Sequence, residues 1–534
     1  MAAPGYLSLI LHAHLPYVRH PEHEKFLEES WLFEAITETY VPLLQMLERW
    51  QADGFEAPLT LTLTPTLCAM LQDPLLRTRY LRHLDELSEL AEKETHRTRW
   101  EKPIHELAAF YRERFQAIRD YYLAAGSDLV GAFRKLQDAG RLEIITSAAT
   151  HAVLPLLAQH PPSLRAQIFV ARDYYRSCFG REPRGIWLPE CAYVEGLETV
   201  LHEAGLRWFL LDAHGLLRAN PRPRYALFAP VLTSNGTAAF GRDLDSARQV
   251  WSREEGYPGD PRYRDFYRDA GFDLDFEYVR PYLPATNQRG FTGLKYCRIT
   301  GGSAAKQPYE RKAALEAADQ HAGHFLAARM TQLGRAAAIL DRPPLLVSAY
   351  DAELFGHWWY EGLEFLDLFV RKACFDQKIF SLVTPQEYLR RHPTHQLAAP
   401  SASSWGEGGY WRMWLNEANE WIYPHLQLAQ ERMTELARAA DRASLVSPTA
   451  PPGLQERALK QAARELLLAQ ASDWPFILRT GTSPDYARNR VKSHLLRFTR
   501  LYEELTRGNL DQAWLAKVEF ADNLFPDLDY RYWC

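Results

Sequence analysis

Two acidic residues stand where an α/β chain places its chemistry. Glu190 follows the apolar run Gly185-Ile-Trp-Leu188 through a proline, which restrains the backbone ahead of the carboxylate. Asp351 ends the run Leu345-Leu-Val-Ser-Ala-Tyr350 and precedes His357-Trp-Trp359. Either side chain could instead cap a helix. As a pair at separate strand ends they meet the needs of retaining glycoside chemistry. One carboxylate attacks the anomeric carbon; the other protonates the leaving oxygen and then deprotonates the acceptor.

Around them lie groups suited to hold a sugar. His12 and His14 alternate by two, so an extended chain turns them to one side. Such a pair can ligate zinc or hydrogen-bond substrate hydroxyls. No third-ligand motif accompanies it, which favours the hydroxyls. His151 ends another apolar run and suits the same role, or is a histidine at the edge of the core. The segment Ser403-Ser-Trp-Gly-Glu-Gly-Gly-Tyr-Trp-Arg-Met-Trp414 is dense in tryptophan and glycine. It reads as flat aromatic platforms on a loop that packs close to a ligand, and equally as an apolar hinge.

The elements that must position these residues alternate. Strands are expected over residues 6–11, 59–63, 142–146, 185–188, 208–211, 345–350 and 380–383, with helical spacing over 24–50, 310–340 and 363–374. A charged helical insert over 74–137 is broken near Lys102-Pro103. Asn235-Gly236 between apolar flanks predicts a hairpin, because both residues tolerate positive φ. Residues 241–275, rich in Arg, Asp, Tyr and Gly, read as a surface loop. A Pro/Ser-rich break at 398–404 leads into helices over 416–439, 454–471 and 486–506, two of them joined by the Pro-rich piece Ser447 to Gly453. The pattern predicts an α/β catalytic domain over 1–395 and an α-helical domain over 396–534, with the chemistry at the C-terminal strand ends.

Composition narrows the class. The 534 residues allow two to four domains at roughly 150 each. A net charge of -5 disfavours nucleic acid or an anionic membrane surface as the main partner. No stretch of about 18 apolar residues is present to span a bilayer, and no signal peptide is read at the N-terminus. The six cysteines show no metal or disulfide spacing, which suits reduced thiols and a cytoplasmic location.

Five motifs, in order, resemble glycoside hydrolase family 57, and within it the branching enzymes. They are His12-Ala-His-Leu-Pro-Tyr17, Ser147-Ala-Ala-Thr-His151, Trp187-Leu-Pro-Glu-Cys-Ala-Tyr193, Ser348-Ala-Tyr-Asp-Ala-Glu353 and the segment from Trp405 to Trp421. The resemblance implies an incomplete (β/α)7 barrel with a helical insert, followed by an α-helical C-terminal domain that contributes to the active site. It implies Glu190 as nucleophile, Asp351 as acid/base, and substrate contacts at Arg242 (in Gly241-Arg-Asp243), Gly259, Trp405 and Asp473. It also implies aromatic platforms at Trp31 and Trp414, no metal or cofactor, and an α-1,4-glucan as the partner. The tryptophan pair beginning at Trp358 is a further candidate sugar contact.

One departure from that family stands out. Its branching enzymes often carry a mobile loop with a tyrosine at the tip before Gly-Arg-Asp, and the Asn235-Gly236 hairpin leaves little room for one. Branching accompanied by appreciable hydrolysis is therefore expected. Residues 242–275, with Trp251 and Tyr257, and the loop around Trp405 are the candidate covers that exclude water. The competing readings are a 4-α-glucanotransferase, an α-amylase, a zinc hydrolase built on His12 and His14, and a non-catalytic glucan-binding protein.

Overall fold

The strand that opens the chain, β1 (Gly5–Ala13), is buried along its whole length. That explains its unbroken apolar sequence: a strand covered on both faces has no polar side to alternate with. Parallel to it run β8 (Leu345–Asp351), in a register from Tyr6↔Leu345 to His12↔Asp351, and β9 (Phe380–Leu382), which pairs with Gly5 to Leu7. The sheet order is β3 (Leu142–Ile145), β2 (Leu59–Leu63), β1, β8, with β9 also on β1. A second sheet has the order β4 (Gly185–Trp187), β5 (Trp208–Leu211), β7 (Ala238–Gly241), β6 (Val231–Leu232). Its pairs are parallel except β6–β7. Each expected strand is present, within two residues at either end.

The protein is seen here as a computed structural model that describes residues 5–252, 255–285, 288–302, 305–446 and 453–534. These fall into two compact units built from interleaved segments. One comprises Met1–Leu61, Leu71–Glu143 and Asp243–Thr384; the other comprises Thr62–Met70, Ile144–Arg242 and Pro385–Cys534. The helical C-terminal region thus packs with the β4–β7 sheet. It contains helices Ile422–Val446, Leu454–Ala469, Asp473–Thr480, Pro484–Arg507 and Gln512–Ala521.

Three local expectations need correction, and one helix has no counterpart in the sequence reading. The helix expected from residue 24 begins at Glu29 and contains a π turn, Ile36–Tyr40, before continuing over Val41–Ala52. The stretch expected as a loop over 241–275 contains the helix Leu244–Trp251, capped by Asp243, whose Oδ2 accepts from the Ser246 amide at 2.7 Å. In the hairpin only Gly236 takes a positive φ, of 83°. Asn235 instead closes a longer turn with its side chain, Oδ1 accepting from Thr233 Oγ1 at 2.7 Å and from the Thr237 amide at 3.2 Å. The helix Asp473–Thr480 was not expected at all; its eight residues are too few to show a clear apolar period. The linker Ser447 to Pro452 lies outside the described residues.

Candidate active site

Glu190 sits on a strained turn. The chain leaves β4 through Pro189, and Glu190 and Cys191 both adopt left-handed backbone, with φ of 62° and 50°. Such conformations cost a residue with a side chain about 1–3 kcal/mol and concentrate at functional sites. Trp405 and Ser472 both hold the carboxylate. Trp405 Nε1 donates to Oε2 at 2.7 Å, and Ser472 Oγ donates to Oε1 at 2.9 Å. With its proton on Glu190, the Ser472 hydroxyl must accept from His151 Nδ1, 2.8 Å away. His151 is buried and left-handed as well, with φ of 57°. The backbone repeats these links: the Trp405 amide donates to Glu190 O at 3.0 Å and the Ser472 amide to His151 O at 3.1 Å.

The Trp405 loop is fixed from a second direction. Arg242 Nε donates to Asp212 Oδ2 at 2.8 Å, and its guanidinium lies 5.2 Å from the Trp405 ring centre. Asp212 Oδ1 meets His214 Nδ1 at 2.9 Å, and His214 Nε2 reaches Gly409 O at 2.9 Å. Gly409 has a φ of 81°, and a Cβ there would stand 2.9 Å from the His214 ring. Trp187 meets the edge of Trp405, with centroids 5.3 Å apart. Ser472 and His214 were missed from sequence. Their signals were present, in Ser472-Asp-Trp-Pro475 and in Asp212-Ala-His214 at the end of β5, but serine and histidine are too common in loops to single out.

In the other unit, Asp351 ends β8 opposite His12 at the end of β1. Burial, and then the neighbouring His14, push the His12 imidazole well below its ordinary range, so the ring is neutral. The two imidazoles lie 5.8 Å apart, nearly stacked. Glu353, two residues beyond Asp351, accepts at Oε1 from the His14 amide at 3.0 Å and from Tyr40 Oη at 2.5 Å. Burial pushes its carboxyl up to about 7. Among the described residues, the three-ligand grouping close enough to share an ion is Glu465, His494 and Asp522, not the His12–His14 pair. Arg490 and Arg497 both stand on Asp522, which opposes a cation there.

The remaining expected contacts divide. Trp358 is 43% exposed and lies 5.9 Å from the Trp251 ring. Trp31, within the helix Glu29–Ala35, is half-buried. Gly259 is exposed at the end of a turn that begins at Tyr257. Asp473 is half-buried in the first turn of its helix, where a negative charge favours the helix dipole. Trp414 is a correction. It is 0% exposed, packed on Val153 and Ala192, and a ring without a solvent face cannot stack on a sugar. Its large apolar ring supports the Trp405 loop from beneath.

The chain as a whole is similar to proteins already known. Residues 8–401 match glycosyl hydrolase family 57, and residues 425–533 match the family described as 1,4-alpha-glucan branching enzyme, C-terminal. The chain is 33% identical to a 1,4-alpha-glucan branching enzyme of Thermococcus kodakarensis, over 98% of this chain and 77% of that protein. Among solved structures it is similar to the alpha-amylase AmyC of Thermotoga maritima, with a TM-score of 0.92, 42% identity and 99% of both chains covered. It is also similar to the GH57-type branching enzyme of Pyrococcus horikoshii, with a TM-score of 0.87, 32% identity, and 99% of this chain and 97% of that one covered. The α/β fold with its parallel strands, the helical C-terminal region and these matches place the chain in glycosyl hydrolase family 57, with the C-terminal region of that family's branching enzymes.

Proposed function

We propose that the protein is a retaining 1,4-α-glucan branching enzyme. The observation that carries this reading is the partner of Glu190. Ser472, which hydrogen-bonds its carboxylate, lies in the region matched to branching enzymes, and Trp405 donates to the other oxygen. The helical C-terminal region therefore takes part in the chemistry as well as in the fold.

In this reading Glu190 attacks the anomeric carbon of an α-1,4-linked glucose. The C1–O4 bond breaks as Asp351 gives its proton to O4, and a glycosyl ester remains on Glu190. Asp351, now a carboxylate, takes the proton of an acceptor 6-hydroxyl. That oxygen bonds C1 and Glu190 leaves, giving an α-1,6 branch with retained configuration. His12, His14, Trp31, Trp358, Arg242, Gly259 and Asp473 orient the glucan, and His151 acts through Ser472. The overall role is synthesis of branched glucan of the glycogen type. A cytoplasmic setting suits the six cysteines, all free thiols. Among the described residues, no helix is long and apolar enough to cross a membrane.

A second reading, α-amylase, is favoured by the similarity to AmyC and by the short turn at Asn235-Gly236. The two differ in whether water or a sugar hydroxyl takes the glycosyl group, and about 1.4 kcal/mol between those barriers changes the product ratio tenfold. Incubation with amylose, followed by a debranching enzyme and counting of reducing ends, decides. Short chains released by debranching establish branching. Reducing ends that appear without debranchable linkages establish hydrolysis.

A further inference from the structure

The segment that follows Asp351 is docked on the π turn. Three consecutive residues of the π turn Ile36–Tyr40, namely Glu38, Thr39 and Tyr40, reach the same loop. Tyr40 Oη donates to Glu353 at 2.5 Å, and Thr39 Oγ1 donates to Phe355 O at 3.0 Å. Glu38 Oε2 accepts from His357 Nδ1 at 2.6 Å. The backbones touch as well: a Cβ on Gly356, whose φ is 102°, would stand 2.0 Å from Glu38 O. Only glycine fits that crossing.

Each end of this docking is anchored. Glu38 is buried against Arg264, with Nη2 to Oε1 at 2.8 Å. Burial alone would raise the Glu38 carboxyl, but Arg264 and His357 outweigh it and hold it at about 2. At the other end, Glu353 Oε1 also takes the His14 amide, so one oxygen atom joins the loop after β1, the loop after β8 and the π turn. His12 and Asp351 are cross-strand neighbours two residues back along those two loops. A free hydroxyl or carboxylate here would gain water by opening; instead each is used inside the protein.

We propose that Glu353 is a positioning residue: held by Tyr40 of the π turn, it locks the His12–His14 segment to the Asp351 loop, so that the acid/base and the histidines keep one geometry. This rests on the assignment of Asp351 above. Glu353 is 3% exposed and its Oε1 is taken by the His14 amide and Tyr40, so it acts through its neighbours. Its effect falls on kcat through Asp351 more than on binding through the histidines, because a displacement of about 1 Å at a catalytic group costs roughly 100-fold in rate.

The test compares Glu353→Ala, Glu353→Gln, Tyr40→Phe and Asp351→Asn, with kcat and KM on amylose and Tm for each. Glu353→Ala should lower kcat about 100-fold with KM within about twofold. Glu353→Gln keeps an acceptor oxygen at the same place and should recover most of that loss. Tyr40→Phe, which removes one hydroxyl and little packing, should lower kcat about tenfold while remaining folded. A folded Glu353→Ala or Tyr40→Phe with wild-type kcat overturns the inference, as does Glu353→Gln no better than Glu353→Ala. If Glu353→Ala does not fold, Tyr40→Phe alone decides. Turnover retained by Asp351→Asn overturns the acid/base assignment instead, and is read separately.

Discussion

Removing the indole N–H of Trp405 while keeping an aromatic ring should trap the reaction half-way. In Trp405→Phe the contact with Trp187 is largely kept, but Glu190 Oε2 loses the donor at 2.7 Å while Ser472 still donates to Oε1. The two half-reactions feel this differently. When Glu190 attacks, negative charge leaves its oxygens, so the donor does not help that step. When the glycosyl ester breaks, charge returns to the carboxylate, and a pre-aimed donor stabilises it as it forms. A hydrogen bond to a charged group is worth about 1.5–3 kcal/mol, and 1.36 kcal/mol is tenfold in rate, so the second step should slow by about 10- to 150-fold. The Glu190 side chain is only 14% exposed, and water entering the vacated space moves the effect toward the lower figure. Intact-protein mass spectrometry during turnover should then show a glycosyl adduct absent from the wild type, in step with the fall in kcat. A Trp405→Phe enzyme with unchanged kcat and no adduct would refute the assigned role of the Trp405–Glu190 bond.

Three further outcomes are expected. Glu190→Gln should abolish turnover without changing Tm, and added azide should restore release of a glycosyl azide of inverted configuration; activity without azide would remove Glu190 from the nucleophile's role. Trp358→Ala, at an exposed ring, should raise KM with Tm nearly unchanged, whereas Trp414→Ala, at a ring with no exposure, should cost about 3–5 kcal/mol of stability; urea unfolding and kinetics separate the two. Among the described residues Glu34 has no hydrogen-bond partner, His357 lies 3.8 Å away, and burial pushes its carboxyl from 4.5 up to about 7. A raised carboxyl burdens the folded state fully above pH 7 and not at all below 4.5, so Glu34→Gln should raise Tm at pH 8 and leave it unchanged at pH 4.5. An equal gain at both values would show that the ionised carboxylate is not the cause.

The strands were legible because both faces of each are covered, which leaves uninterrupted runs such as Tyr6 to Leu11 bounded by polar turns. Residues at their ends, Glu190, Asp351 and His151, could be singled out for the same reason. What holds those residues could not. Ser472 reaches Glu190 across 282 positions and Trp405 across 215, and no local pattern encodes such a pairing. The π turn at 36–40 was invisible because its residues keep helical composition; one extra residue in a turn changes which side chains face the Asp351 loop but not which residues are apolar. Trp414 was misread because tryptophan density marks sugar platforms and apolar cores alike, and only burial separates them.

The order in which residues reach Glu190 bears on how the protein is made. Its unit is completed by residues 385–534, so the strained Glu190–Cys191 turn is synthesised long before Trp405 and Ser472 exist to hold it. At roughly 5–20 residues per second, the 282-residue separation between Glu190 and Ser472 is a delay on the order of 15 s to 1 min on the ribosome. During that time β4 and β5 already have the helices Pro161–Phe179 and Leu197–Glu203 packed on them, but the Glu190 turn lacks the groups that hold its carboxylate. The fold around β4 and β5 can thus form early, while the nucleophile's geometry is completed only when Ser472 emerges, late in synthesis.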